Sequence, residues 1–202
     1  MKDKYHKTKE HYNAIYEKYA QNSGIIMHDA IDLFLKHANK NGMILDIGCG
    51  PGHDVQYMIG QGYAAAGVDF SENMIEYARK NHKGSFYCLD VCADDFFANV
   101  GSINDVWMSA MLMHLSDNDQ IELLEKINSN IASDGVVGLI VPFKLPERKK
   151  GMNKRPDILF HTYTKEALYK LLEDAGFRPI SFSTFQFNNV EWGVVIANKK
   201  IV

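Results

Sequence analysis

Cysteine is scarce in this sequence of 202 residues, which contains Cys49, Cys88 and Cys92. An odd count without a regular framework favours reduced thiols and a cytoplasmic protein over a disulfide-stabilised secreted one. No histidine or cysteine pair stands near Cys88 and Cys92 at the spacing of a zinc site, so we expect no bound metal.

Basic residues are not in excess either. The 22 lysines and arginines are outnumbered by 25 acidic residues, which gives a formal net charge of -3. This balance argues against a nucleic-acid partner, because proteins that bind nucleic acid usually have a basic surplus. The longest apolar run, residues 136–143, is far too short to cross a membrane, and the charged residues 1–9 do not resemble a signal peptide. We therefore expect a soluble protein with one domain over residues 1–202.

From Met43 onwards, short apolar segments alternate with amphipathic ones, a pattern typical of βα units. The predicted strands are 43–47, 63–69, 85–89, 105–110, 136–141, 179–187 and 191–198, and the predicted helices are 53–59, 71–80, 116–131 and 164–176. Ser71 and Thr164 are expected to cap their helices, and Ser116 with Asp119 predicts a capping box. The two residues 188–189 predict an antiparallel hairpin. The tyrosine-rich residues 1–40 are expected to form a helical cap or lid.

The strongest signal in the sequence is the segment LDIGCGPGH at residues 45–53. It follows a predicted strand and opens a helix, as a nucleotide-binding glycine loop must. Glycine allows a sharp turn and lets a ligand lie against the backbone, and the helix N-terminus favours a carboxylate there. The dinucleotide fingerprint requires a third glycine at the position of His53. The loop instead has the form Asp-x-Gly-x-Gly-x-Gly, led by Asp46.

This loop resembles motif I of the class I S-adenosylmethionine-dependent methyltransferases. Asp69 and Asp90 end the second and third predicted strands, where that family also has acidic residues. Residues 104–107, 111–115 and 161–177 are similar to its fourth strand, to its loop beside the methionine moiety and to its small-molecule branch (methyltransferase types 11 and 25). Leu89 departs from the pattern, since many members have glycine there. The resemblance covers residues 43–198.

The resemblance implies an α/β, Rossmann-like fold with a seven-stranded, mostly parallel sheet in the order 3-2-1-4-5-7-6, an antiparallel last strand and helices on both faces. It implies S-adenosylmethionine as the cofactor. In the family, the first acid helps to hold the amino end of the cofactor, the second binds the ribose hydroxyls and the third meets the adenine amino group. The implied cofactor-binding residues are Asp46, Gly48, Cys49, Gly50, Gly52, Asp69, Phe70, Met74, Asp90, Val91, Ser109 and Met111.

Methyl transfer from a sulfonium is an in-line displacement, so the protein mainly holds the two reactants at near-attack distance. A general base is needed only where the acceptor loses a proton. His114 is the candidate base, because it follows the fourth strand at the edge where α/β folds bind ligands. Supporting the loop or packing over the cofactor is the alternative role. The other candidates for acceptor binding are Tyr16, Tyr19, Phe143, Arg155, His161 and Tyr163.

We expect methylation of an oxygen, nitrogen or carbon atom of a small molecule, with release of S-adenosylhomocysteine, by a monomer or homodimer. Residues 109–112 read SAML, which lacks the tetrapeptide of DNA amino-methyltransferases, and the Pro-Cys pair of cytosine C5 enzymes is absent. An RNA or protein methyltransferase on the same core and a non-catalytic cofactor-binding protein are alternatives. A nicotinamide-dependent oxidoreductase is a third, against which His53 and the final hairpin count.

Overall fold

Seven strands form one sheet in a computed structural model that describes residues 5–22, 28–144 and 158–200. The strands are β1 (Met43–Ile47), β2 (Ala64–Asp69), β3 (Ser85–Cys88), β4 (Asp105–Ser109), β5 (Val136–Lys144), β6 (Phe177–Phe187) and β7 (Val190–Lys199). Their order is β3-β2-β1-β4-β5-β7-β6. The strands β1 to β5 pair in parallel, and β7 is antiparallel to β5 and to β6. The predicted fold and strand order are confirmed.

Helices cover both faces of this sheet. They are α1 (His6–Asn22), α2 (His28–Leu35), α3 (His53–Gly60), α4 (Glu72–Asn81), α5 (Asp117–Asn130) and α6 (Lys165–Asp174). Successive strand side chains point to opposite faces, so neighbouring residues join different clusters. Leu45 belongs to the cluster packed against α5 and α6, whereas Ile44 belongs to the one packed against α2, α3 and α4. Among the described residues, no helix is both long enough and apolar enough to cross a membrane.

Two strands extend further than the sequence predicted, and each continues past a proline. The prediction ended β5 at Val141 and began β6 at Pro179, but β5 continues through Pro142 and β6 begins at Phe177. Both prolines stand next to register shifts in the pairing with β7. A bulge leaves a residue out of the hydrogen-bond ladder, so a strand can continue past a proline there.

Side-chain caps begin the helices where the sequence predicts them. Ser71 Oγ accepts a hydrogen bond from Met74 N at 3.3 Å, and Thr164 Oγ1 accepts one from Ala167 N at 3.2 Å. The box at Ser116 is only half formed, because its backbone N–H donates to the Tyr5 hydroxyl at 2.9 Å. Tyr5 therefore ties the start of the chain to the start of α5.

Helix α1 and the preceding Tyr5 contact the starts of two other helices, α4 and α5. Asn13 Oδ1 accepts from Ser71 Oγ at 2.6 Å, the Asn13 carbonyl accepts from Asn73 Nδ2 at 2.8 Å, and Lys9 forms an ion pair with Glu72. These contacts hold it to the start of α4, which follows β2, while Tyr5 contacts the start of α5, which follows β4. Helix α1 therefore lies across the carboxyl ends of the central strands.

Candidate active site

Residues 48–52 form the turn from β1 into α3. Gly48, Gly50 and Gly52 have φ values of 79°, 51° and 86°, a left-handed conformation that side chains make costly. At Gly48 a Cβ would lie 2.4 Å from Cγ of Met111, so only glycine lets the turn approach the loop after β4. At Gly52 it would lie 2.7 Å from the Phe86 ring, which gives this glycine a packing role between α3 and β3.

Two adjoining cavities lie at the carboxyl edge of the sheet, above this turn. The first extends from the turn towards the ends of β2 and β3, and the second extends towards the β6–β7 hairpin. With the space open to solvent they enclose about 720 Å³ and about 1120 Å³. Together they form an open cleft at the edge of the sheet where α/β folds bind ligands. Both cavities are lined by Tyr12, Tyr19, Gly48, Gly50, Ser109 and Ala110.

The structure brings the predicted cofactor residues together in this cleft, with one exception. The first cavity is lined by Gly48, Gly50, Asp69, Phe70, Met74, Asp90, Val91, Ser109 and Met111, and the second is lined by Asp46 and Cys49 as well as by the shared residues. Gly52 lines neither cavity. Convergence in one cleft is what the cofactor prediction requires, although each residue's contact with a ligand stays a prediction.

Asp46 is a buried carboxylate that has no hydrogen-bond partner in the described part of the chain. It is 1% exposed, and neither carboxylate oxygen has a hydrogen-bond partner among the described residues. Burial raises its pKa well above the usual range, and the nearby carboxylates Asp54 and Asp69 raise it further. Because an unpaired buried charge is costly, this side chain favours a cationic group in the cavity that it lines. An ammonium group fits that requirement.

Asp69, at the end of β2, is held by backbone donors. Its Oδ2 accepts from Gly50 N at 3.0 Å and its Oδ1 accepts from Ser71 N at 2.8 Å. Burial raises the pKa of Asp69 to about 6, although these hydrogen bonds act to lower it. Each carboxylate oxygen can accept more than one hydrogen bond, so a pair of hydroxyls can still be bound.

Asp90 and Val91 follow β3 and form the far end of the first cavity. Asp90 Oδ1 accepts from Cys92 N at 3.0 Å, which fixes the carboxylate beside the turn. Phe70 and Met74 line the same cavity from the end of β2 and from α4. An acidic group next to apolar walls can bind a flat ring that carries an amino group.

Ala110 is a site residue that sequence reasoning missed. It follows β4, lines both cavities and has a φ of 55°, in the left-handed region that is rare for residues other than glycine. Its N–H donates to the Ile140 carbonyl at 2.9 Å, which holds the turn in place. Strained backbone of this kind is concentrated at functional sites, but an alanine in the sequence gives no signal of it.

His114 lines the first cavity, and its hydrogen bonds determine its tautomer. Nδ1 lies 2.8 Å from the Leu159 carbonyl, which can only accept, so Nδ1 carries the proton. In the neutral ring Nε2 is then an acceptor, and it accepts a hydrogen bond from the Tyr12 hydroxyl at 2.9 Å. Tyr12 was not among the predicted site residues, although it lies in the tyrosine-rich segment near the start of the sequence. The candidate base is thus coupled to α1.

The tyrosines of α1 differ in the side they face. Tyr19 lines both cavities, and burial raises its pKa to about 12. Tyr16 lines neither cavity; it donates to Glu17 at 3.0 Å and packs edge-on against Tyr77 with ring centroids 6.5 Å apart. At about 100° per residue, Tyr19 lies within roughly 20° of Tyr12 around the helix axis. Tyr16 is rotated from Tyr12 by roughly 40° in the opposite direction, which turns it towards α4.

Three further acceptor candidates line neither cavity of the cleft. Phe143 packs against Phe182 with ring centroids 5.5 Å apart, and the Tyr163 hydroxyl donates to Gln120 at 2.9 Å. Phe143, His161 and Tyr163 line neither cavity. Arg155 lies outside the described residues.

Residues 16–181 match a family model described as a methyltransferase domain, and this span is most of the chain. The chain belongs to this methyltransferase family. Its predicted enzyme class and its predicted cofactor, S-adenosylmethionine, are thereby confirmed. No curated protein sequence matches this methyltransferase significantly.

Solved structures support the fold. The 1,6-didemethyltoxoflavin-N1-methyltransferase of Burkholderia thailandensis, with bound 1,6-didemethyltoxoflavin and S-adenosylhomocysteine, has a TM-score of 0.78 at 18% identity, covering 96% of this chain and 88% of its own. The magnesium protoporphyrin IX methyltransferase of Synechocystis PCC 6803, with bound S-adenosylmethionine, has a TM-score of 0.74 at 15% identity, with 99% of each chain covered. The cyclase SpnF has a TM-score of 0.75 at 15% identity, with 96% of each chain covered. At these identities the likeness concerns the fold.

Proposed function

We propose that this methyltransferase transfers the methyl group of S-adenosylmethionine to an oxygen, nitrogen or carbon atom of a small-molecule acceptor and releases S-adenosylhomocysteine. The bound cofactor supplies a methyl group activated by a positively charged sulfur. The observation that carries the proposal is Asp46, a buried carboxylate without a partner among the described residues, in the same cleft as Asp69 and Asp90. One ligand with an ammonium, a ribose and an adenine matches all three.

The cofactor residues have distinct tasks in this proposal. Asp46 binds the ammonium group, which replaces the water lost on burial of its charge. Asp69 accepts from the ribose hydroxyls, and Asp90 accepts from the adenine amino group. Gly48 and Gly50 let the methionine moiety approach the backbone of the turn. The apolar walls at Phe70 and Met74 hold the adenine ring and keep water away from it.

The second cavity is where this proposal places the acceptor, next to the residues assigned to the methionine moiety. Holding both reactants there supplies most of the rate enhancement for an already activated methyl group. An acceptor that must lose a proton passes it to the Tyr12 hydroxyl, whose own proton moves to Nε2 of His114. His114 therefore acts through Tyr12. Two structural neighbours are named for small-molecule substrates, a toxoflavin precursor and a porphyrin, which supports this class of acceptor.

Several expectations stay predictions beside this proposal. They are the single domain over residues 1–202 with a lid at 1–40, the monomeric or homodimeric state, the cytoplasmic location and the absence of a nucleic-acid partner.

Calorimetric titration with S-adenosylhomocysteine and with NAD⁺ tests the proposal. We expect saturable one-to-one binding of S-adenosylhomocysteine and none of NAD⁺. A screen of small molecules with labelled S-adenosylmethionine should then yield a methylated product. The proposal fails where NAD⁺ binds and S-adenosylhomocysteine does not, and its acceptor class fails where RNA or protein, but no small molecule, becomes labelled.

A further inference from the structure

One wall of the second cavity contains none of the residues that we assign to cofactor binding. This wall is formed by Phe187 and Asn188 at the tip of the β6–β7 hairpin and by Trp192 on β7. The hairpin turns through Asn188 and Asn189, whose φ values are 49° and 60°. Asparagine tolerates this left-handed conformation, and a two-residue turn of this kind pairs the strands tightly. The turn thereby fixes the position of the wall.

Four phenylalanine, tyrosine and tryptophan rings line this cavity. Phe187 and Trp192 come from the hairpin, and Tyr12 and Tyr19 come from α1. Phe187 pairs with Val190 and Trp192 pairs with Phe185, so the alternation of side chains puts Phe187 and Trp192 on the same face. Aromatic rings favour stacked or edge-on contact with other flat rings, so the cavity suits a planar ligand.

Trp192 also supplies a hydrogen-bond donor to this cavity. Its Nε1 is buried and has no hydrogen-bond partner among the described residues. The other indole of the chain differs, because Nε1 of Trp107 donates to Asp54 Oδ2 at 2.8 Å. An indole N–H can only donate, and a buried donor without an acceptor is costly. A ligand with a lone pair at this position removes that cost.

The charge of the cavity limits the ligand further. Its described lining residues include the carboxylates Asp46 and Asp54 but no lysine or arginine. Nε2 of His53, which also lines the cavity, is used by a hydrogen bond to the Ala20 carbonyl at 2.8 Å. The cofactor ammonium balances one carboxylate, and the second still repels an anion.

We propose that this cavity binds the methyl acceptor as a planar aromatic heterocycle without negative charge, whose ring nitrogen or oxygen accepts a hydrogen bond from Nε1 of Trp192. This inference rests on the proposed function, since it names the acceptor class of the same site. Trp192 is the residue that orients the heterocycle, and Phe187 and Tyr19 are the rings that pack against it.

The test uses three flat probes on the full-length protein at pH 8 with saturating S-adenosylhomocysteine. Isoquinoline has a neutral ring nitrogen, naphthalene has the same shape without it, and 1-naphthoate carries a negative charge. By calorimetry we expect isoquinoline to bind about fivefold more tightly than naphthalene, which corresponds to one neutral hydrogen bond. Binding of 1-naphthoate should be weaker than that of both.

The position of the probe is read from the two tryptophans of the chain. Labelling with 5-fluorotryptophan gives two fluorine resonances, which Trp192→Phe assigns. Isoquinoline should shift the resonance of Trp192 and leave that of Trp107 in place. In Trp192→Phe the preference for isoquinoline over naphthalene should disappear. Gln186→Ala, at an exposed neighbouring position on the hairpin, is the control and should keep that preference.

The inference is overturned where naphthalene binds as tightly as isoquinoline, where 1-naphthoate binds most tightly, or where none of the probes binds. Retention of the preference in Trp192→Phe overturns it as well. These outcomes leave the proposed function intact, provided that S-adenosylhomocysteine binds in the same experiment. Where S-adenosylhomocysteine does not bind, the proposed function fails, and titration of the unliganded protein still decides the preference for heterocycles.

Discussion

The two sides of the cleft are built differently. On the cofactor side, Asp69 and Asp90 stand at or just after the ends of parallel strands, and each is fixed by backbone N–H groups. On the proposed acceptor side, Tyr12 comes from α1 and Trp192 comes from β7, 180 residues apart in numbering, and they line one cavity only in the folded protein. In the proposed function the sheet thus holds the cofactor, and the peripheral elements around it select the acceptor.

The largest expected effect falls on the cofactor side, at Asp46. Asp46→Asn should weaken S-adenosylhomocysteine binding at least about a hundredfold, because loss of one partner of a buried ion pair costs roughly 3 kcal/mol or more. The unliganded variant should nevertheless melt at a higher temperature than the wild type, since it no longer buries an unpaired charge. Calorimetry and thermal melting measure the two effects. Asp32→Asn, at an exposed position, is the control, and equal affinity in Asp46→Asn would contradict the assignment.

A dependence on pH should come from Asp69, whose pKa is raised to about 6 in the folded protein. The unliganded fold holds this proton more tightly than the unfolded chain does, so its stability should fall as pH rises from about 4 to 6. Ribose hydroxyls donate to the ionised carboxylate, so S-adenosylhomocysteine affinity should rise with pH up to about 6 and level off above it.

Asp69→Asn should bind S-adenosylhomocysteine about tenfold more weakly at pH 8, because hydrogen bonds to a charged acceptor are the stronger ones. The rise of its affinity with pH, which is centred near pH 6 in the wild type, should also disappear. Titrations at several pH values measure both effects. An affinity profile in Asp69→Asn that keeps the wild-type shape would show that another group is responsible.

Tyr16 and Tyr19 of α1 provide a matched pair of substitutions, because only Tyr19 lines the two cavities. Tyr19→Ala should weaken S-adenosylhomocysteine binding about fivefold, since the ring that lines both cavities is lost and roughly 1 kcal/mol of apolar contact goes with it. Tyr16→Ala should leave the affinity unchanged, because Tyr16 faces α4. Equal losses in both variants would mean that α1 acts as a whole rather than through Tyr19.

The smallest expected effect is at Tyr12. Tyr12→Phe should lower the free energy of unfolding by about 1 kcal/mol through loss of one hydrogen bond to His114. Nitrogen NMR of labelled histidine should show the proton of His114 on Nδ1 in the wild type, and a shift of the Nε2 resonance in the variant. A wild-type ring protonated on Nε2 would rule out the proton path through Tyr12.

The sequence predicted what depends on local pattern and missed what depends on convergence. The strands and the glycine turn could be predicted because apolar runs, Gly48 and strand-end acids are local signals, whereas the strand order came from the family resemblance. The ends of β5 and β6 could not, because bulges at Pro142 and Pro179 are made by the pairing with β7. Which tyrosine of α1 faces the cleft depends on the phase of that helix against α4, which a single sequence does not contain.

The most direct test of the central claim is a crystal structure with S-adenosylhomocysteine. We predict that its amino nitrogen lies within hydrogen-bond distance of the Asp46 carboxylate while both ribose hydroxyls contact Asp69. A bound ligand that leaves Asp46 without a partner and places its ribose away from Asp69 would contradict the account.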